Sequence, residues 1–367
     1  MRSLILLAGA LALSPAFANT PESPANLCID DKCPSTSNTG TGSGSVKWHP
    51  GHYMLTYLGD SPDLIVSKRI PEVCGEPALQ GLQMRMEWSD LEKAKGSYDF
   101  ASLDRVYNAL ASCGKRLVLQ VLAVDFNATD PNGFVPAYLL SEPVYNGGAA
   151  KTASGYIARL WEAPVMDRFI ALSRAVADRY DDKPNFEGMV FAETATSKVE
   201  DGYTASAYIT QLKRAVTAMS DAWPKTNVIV YNNFLQGSTD TQFIDFVRFL
   251  KDNRGVIAGP DVLPPPHSGS KGERIYRGEL GGDDMRGEMP AMFAVQSPEL
   301  GGKEGTFTPR ELYDHCVGTN RCSHMFWIRN TAEGGFEQQW DTGLLPFIRA
   351  NPKTVDSCPG SYSACVK

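Results

Sequence analysis

Eight short apolar runs recur between about residue 48 and about residue 352, separated by stretches long enough for helices. They are Tyr53–Leu58, Gly81–Met86, Arg116–Val121, Gly188–Phe191, Asn227–Tyr231, Gly255–Ala258, Ala291–Val295 and His324–Ile328. Several, such as LVLQV and VIVY, are continuously apolar, the pattern of strands covered on both faces. Between them, Phe100–Cys113 places Leu103, Val106, Tyr107 and Leu110 on one helical face. Pro164–Arg179, Ala205–Ala222, Thr241–Asn253 and the shorter Pro309–Val317 also read as helices, with Pro164 and Pro309 in first turns. Eight strands alternating with helices predict an α/β fold, a (β/α)8 TIM barrel. A doubly wound sheet is the alternative, but no glycine-rich phosphate turn follows the first strand.

The barrel is expected over residues 47–352, as one domain. Residues 1–18 read as a signal peptide. Arg2 is its positive end, Leu4–Leu13 its apolar run, and Ala16-Phe17-Ala18 its cleavage pattern. Residues 19–46 contain the Ser/Thr/Gly/Asn run 35–45 and read as a flexible linker. Residues 353–367 read as a disulfide-stapled tail. The localisation expected is secreted or periplasmic, with no membrane span in the mature chain.

Eight cysteines, all after the expected cleavage site, agree with export. The close pairs Cys28–Cys33, Cys316–Cys322 and Cys358–Cys365 suggest themselves, leaving Cys74–Cys113; spacing alone does not fix the pairing. No zinc-type spacing is present, and His49, His52, His267, His315 and His324 lack metal spacing, so neither metal nor cofactor is expected. The net charge of −7 argues against nucleic acid as a partner. A monomer is expected.

In a TIM barrel the chemistry sits at the C-terminal ends of the strands. Those ends carry Tyr57, Arg85, Glu87, Asp125, Glu193, Asn232, Asn233, Asp261, Gln296 and Trp327, with His267 downstream of the sixth. Carboxylates and amides can bind hydroxyls, and aromatic faces can cover the C–H surface of a sugar ring. The expected partner is therefore an oligosaccharide or polysaccharide. Trp88, Trp161, Trp223 and Trp340 read more readily as core. Asn127-Ala128-Thr129 is a glycosylation sequon if the chain passes through a glycosylating compartment.

Two passages carry a resemblance. Glu87-Trp88-Ser89-Asp90-Leu91-Glu92, then Lys95-Gly96-Ser97-Tyr98-Asp99-Phe100 and Leu103-Asp104, resembles the passage after strand two of clan A glycoside hydrolases. Leu160-Trp161, Pro164-Val165 and the run Asp178 to Pro184 with Gly188 resemble that clan's helix into strand four. The resemblance implies hydrolysis of glycosidic bonds by two carboxyl groups. Glu193, ending strand four, would be the general acid/base, and Trp327 would be an aromatic sugar platform. The clan's second carboxylate ends strand seven, where this chain has Gln296; Glu299 follows three residues later as candidate nucleophile. Asp261, Glu87 and the loop acids Glu279, Asp283 and Asp284 are the other possibilities. A separation of roughly 5–5.5 Å implies retention and roughly 6.5–9.5 Å inversion. The clan's asparagine before the acid is Ala192 here, which passes the 2-hydroxyl contact to Asn232 or Asn233. The alternative function is a carbohydrate-binding barrel whose catalysis is impaired by Gln296.

Overall fold

The computed structural model describes residues 45–57, 59–191, 193–196, 199, 201–267, 269–296, 307–329 and 340–367. The expected signal peptide, nearly all of the linker, Cys28, Cys33 and Glu299 lie outside the described residues.

The eight runs form eight parallel strands. They are β1 Gly51–Thr56, β2 Leu79–Glu87, β3 Arg116–Leu122, β4 Phe186–Phe191, β5 Asn227–Tyr231, β6 Gly255–Gly259, β7 Ala291–Val295 and β8 His324–Arg329. They pair in sequence order, and β8 closes on β1 with Arg329 opposite Thr56. The chain is therefore a (β/α)8 barrel. The helices between strands include α1 Ala101–Ser112, α2 Ala163–Tyr180, α3 Ala205–Ala222 and α4 Asp240–Asp252. Thr204 caps α3 by accepting from the Ala207 N–H, and Thr239 with Gln242 forms a capping box on α4.

Side chains on a strand alternate between faces. In the barrel both faces are dry. Tyr53, Leu55, Val190, Ile229, Tyr231 and Phe326 belong to an interior cluster. Met54, Leu82, Met84, Val230 and Trp327 belong to the layer under the helices. That is why the strands read as unbroken apolar runs.

The motifs behind the clan resemblance prove to be fasteners. Glu92 is fully buried and accepts from Trp88 Nε1 at 2.9 Å, from the Gly96 N–H at 2.8 Å, and from Arg168 of α2. Asp104 of α1 accepts from Arg179 Nε and Tyr180 Oη, each at 2.7 Å. These bonds tie the segment after β2 to the helix before β4. Trp88, Trp161, Trp223 and Trp340 are buried core residues.

Three disulfides are present, Cys74–Cys113, Cys316–Cys322 and Cys358–Cys365. The last holds the tail so that Cys365–Val366 pairs with Val46–Lys47. Trp48 and Tyr362 join the interior cluster, so both ends of the described chain help close the barrel floor.

Trp327 corrects an expectation. Its neighbours Phe326 and Ile328 face the barrel interior, so alternation turns Trp327 outward. It is fully buried, and its Nε1 donates to His52 Nδ1 at 2.9 Å. It is no sugar platform. His52 in turn donates from Nε2 to the Asn351 carbonyl at 2.8 Å, which fixes a neutral tautomer. Burial pushes the His52 pKa down from 6.5 to about 4. Between those values the unfolded chain takes up a proton that the folded protein refuses. This contribution is thus present above about pH 6.5 and falls by about 3 kcal/mol as the pH drops towards 4. Urea unfolding across that range should show the loss, and His52→Gln, which keeps a donor and an acceptor, should flatten that part of the curve.

Candidate active site

Interior alternation also builds the site. On β2, Gln83, Arg85 and Glu87 share the inner face, and on β3 Gln120 does the same. Gln83 Nε2 donates to Gln120 Oε1 and to Tyr231 Oη, both at 2.8 Å. This polar layer supports Arg85, whose Nε donates to Gln120 Oε1 at 3.2 Å and whose Nη2 donates to Gln296 Oε1 at 3.4 Å. Gln296 Nε2 then donates to Asp261 Oδ1 at 3.2 Å.

Above this layer, at the C-terminal ends of the strands, lies a cavity of about 670 Å³. Tyr57, Arg85, Glu87, Gln120, Asp125, Phe126, Asn127, Glu193, Tyr231, Asp261 and Gln296 are among its lining residues. Four are acidic and one is a cation, so the mouth is an acidic pocket organised around a single guanidinium. Tyr57 and Phe126 supply aromatic surface.

Glu193 follows β4. Asn233 Nδ2 donates to Glu193 Oε1 at 2.8 Å. The amide is oriented by two donors to its oxygen, the Phe234 N–H at 3.0 Å and Thr194 Oγ1 at 3.3 Å. Burial pushes the Glu193 pKa up to about 7; the Asn233 bond opposes the rise, Asp261 adds to it and Arg85 opposes it. Burial, then Asp125 and Asp90, also lift Glu87 to about 7. Glu87 Oε2 is buried without a hydrogen-bond partner among the described residues.

The structure thus brings together Tyr57, Arg85, Glu87, Asp125, Glu193, Asp261 and Gln296, with Asn233 touching Glu193. It separates three others. Asn232 follows the inward Tyr231, is buried, and does not line the cavity; its amide atoms have no partner among the described residues. Of the two asparagines weighed for a sugar contact, Asn233 is the one beside the acid. His267 is exposed outside the cavity, edge-on to Phe307 at 5.9 Å. Trp327 lies under the helices, as described. The loop acids are surface ion-pair partners: Glu279 with Arg274 and Arg277, Asp283 with Arg248, and Asp284 with Arg286.

Sequence reasoning missed Gln83 and Gln120 as supports. The signal was there: a glutamine at an inward position of an otherwise apolar strand is a buried polar group that needs a partner. Among the described residues no three His, Cys, Asp or Glu side chains could together hold a metal ion, and no helix is long and apolar enough to cross a membrane.

Fold and site define a (β/α)8 barrel with an acidic, carboxyl-bearing mouth. No protein-family model and no curated protein matches the sequence. Among solved structures, the chain is similar to the catalytic domain of β-amylase from Paenibacillus polymyxa. The TM-score is 0.55 at 10% identity, over 83% of this chain and 100% of that one. It is also similar to β-galactosidase from Bacillus circulans sp. alkalophilus, with a TM-score of 0.51 at 11% identity over 80% of this chain. Here the match spans about half of the β-galactosidase, 52% of its length. The likeness is one of fold: the chain shares the barrel of these two proteins.

Proposed function

We propose that the protein is an exported glycoside hydrolase that cleaves an oligosaccharide or polysaccharide, with Glu193 as general acid. One observation carries the reading. Glu193 stands at the end of β4 in the cavity, oriented by Asn233 and holding its proton up to about pH 7. A carboxyl group still protonated near neutrality can give that proton to a departing glycosidic oxygen. Tyr57 and Phe126 offer ring surfaces, and the carboxylates and amides offer hydroxyl partners. The disulfides support export to an oxidising compartment.

A carbohydrate-binding barrel without turnover is the second reading, favoured by the amide of Gln296 at the end of β7. Incubating the purified protein with a polysaccharide panel and detecting new reducing ends separates the two. Release of reducing ends that Glu193→Gln abolishes supports the hydrolase. Saturable sugar binding with no release supports the binding barrel.

A further inference from the structure

We infer that Asp261, aimed by Gln296, is the second carboxylate of the reaction. The end of β7 then carries the residue that positions Glu193's partner, not the partner itself. This inference rests on the hydrolase reading above.

Gln296 cannot serve as an anionic base, and its amide is engaged at both ends. Its oxygen accepts from Arg85 Nη2 at 3.4 Å and its nitrogen donates to Asp261 Oδ1 at 3.2 Å. Rotating the amide by half a turn would set N–H groups against a guanidinium and an oxygen against a carboxylate. Both contacts would be repulsive, so this orientation is the stable one. A chain of hydrogen bonds thus runs from the half-buried Arg85 through Gln296 to one oxygen of Asp261. Among the described residues no hydrogen bond engages the other carboxylate oxygen, which leaves it for substrate or water.

Asp261 and Glu193 line the same cavity, from the ends of β6 and β4. Arg85 and Asp261 are the charged groups that Glu193 senses, with opposite effects. The rival Glu87 answers to Asp125 and Asp90 instead. It also holds a proton up to about pH 7, which suits an anionic partner poorly.

The steps balance in either stereochemistry. Glu193 gives its proton to the departing oxygen as the bond from that oxygen to the anomeric carbon breaks. In one course an Asp261 oxygen bonds the anomeric carbon; water, deprotonated by Glu193, then displaces the aspartate. In the other course Asp261 takes a proton from the water that attacks the anomeric carbon. Each course consumes one water.

The test uses the full-length mature protein and the panel sugar that the wild type cleaves best. Asp261→Asn should lower kcat about 1,000-fold with KM within a few fold. Gln296→Ala should lower kcat about 10-fold. Combined with Asp261→Asn it should lower kcat no further than Asp261→Asn alone, because Gln296 acts through that carboxylate. A purely structural Gln296 would add its own loss to that of Asp261→Asn. Gln296→Glu should lower turnover too, by setting a second carboxylate against Asp261.

Turnover raised by Gln296→Glu, wild-type turnover in Asp261→Asn, or Glu299→Ala abolishing turnover in place of Asp261→Asn would each overturn the inference and leave the hydrolase reading intact. The anomer of the first product assigns the course. If no sugar is cleaved, the hydrolase reading fails, and carbon-13 NMR of Glu-labelled protein still judges the pairing. The Glu193 signal, assigned through Glu193→Gln, should titrate at lower pH in Asp261→Asn than in wild type. An unchanged midpoint would overturn the inference.

Discussion

Glu193→Gln should lower kcat about 1,000-fold or more while changing sugar affinity only a few fold. Glutamine keeps the size of the side chain and an oxygen that can accept from Asn233 Nδ2. It removes only the proton that the leaving group needs. A folding defect is not the expected cause, because burial disfavours the ionised glutamate and an amide carries no such cost. The wild-type pH–rate profile should fall on its alkaline side near pH 7, where Glu193 loses its proton. The sign is fixed by the role: an acid works while protonated, so activity is lost as pH rises through its pKa. Asn233→Ala supplies an independent check. The Asn233 bond favours the ionised form, so removing it should move the alkaline limb to higher pH. An alkaline limb that persists unchanged in Glu193→Gln would assign the titration to another group.

Glu187→Ala should cost about 4 kcal/mol and lower Tm by roughly 10 °C without touching the cavity. Glu187 lies in β4, at the end of the barrel opposite the site, and is fully buried. It accepts from the His49 N–H at 2.8 Å and His49 Nδ1 at 2.6 Å, with His324 Nε2 at 3.4 Å. Burial alone would raise its pKa. The two imidazoles more than offset that and hold the carboxyl well below the usual range. Truncation leaves the largely buried His49 backbone N–H and an imidazole N–H without their acceptor. The lowered pKa sets the pH sign as well. The stabilisation is whole above about pH 4.5, the ordinary glutamate value, and is lost as pH falls below it. Acid titration followed by near-ultraviolet circular dichroism should show a later onset of unfolding in wild type than in Glu187→Ala. Equal stability of the two proteins would show the cluster to be a bystander.

Much of the scaffold was legible. Asn227–Tyr231, Ala291–Val295 and Ala205–Ala222 have the same bounds in sequence and structure, because each is closed by a local signal. The alternation of apolar runs with helices specified eight strands, and their closure into a ring followed from burial on both faces. Two of the three misplaced site residues share one cause. Trp327 and Asn232 were judged by residue type at strand ends, yet each sits next to an inward-facing residue. Alternation sends Trp327 outward, and Asn232, just past β5, is buried away from the cavity. His267 failed for another reason: a loop residue outside any repeating pattern has no periodicity to read.

Local chemistry, written in the order of residues, therefore determined the barrel, its caps and the set of polar strand ends, Glu193 among them; the acid role came from the resemblance. Strand period and burial are nearest-neighbour properties, and a chain displays them one residue at a time. Only the closed ring decided that Gln296 of one strand end would span Arg85 and Asp261 of two others. It likewise decided that Asn233 would meet Glu193. Those contacts join residues 211, 35 and 40 positions apart. Their distances come from the tilt and register of strands around a barrel, which no linear pattern contains.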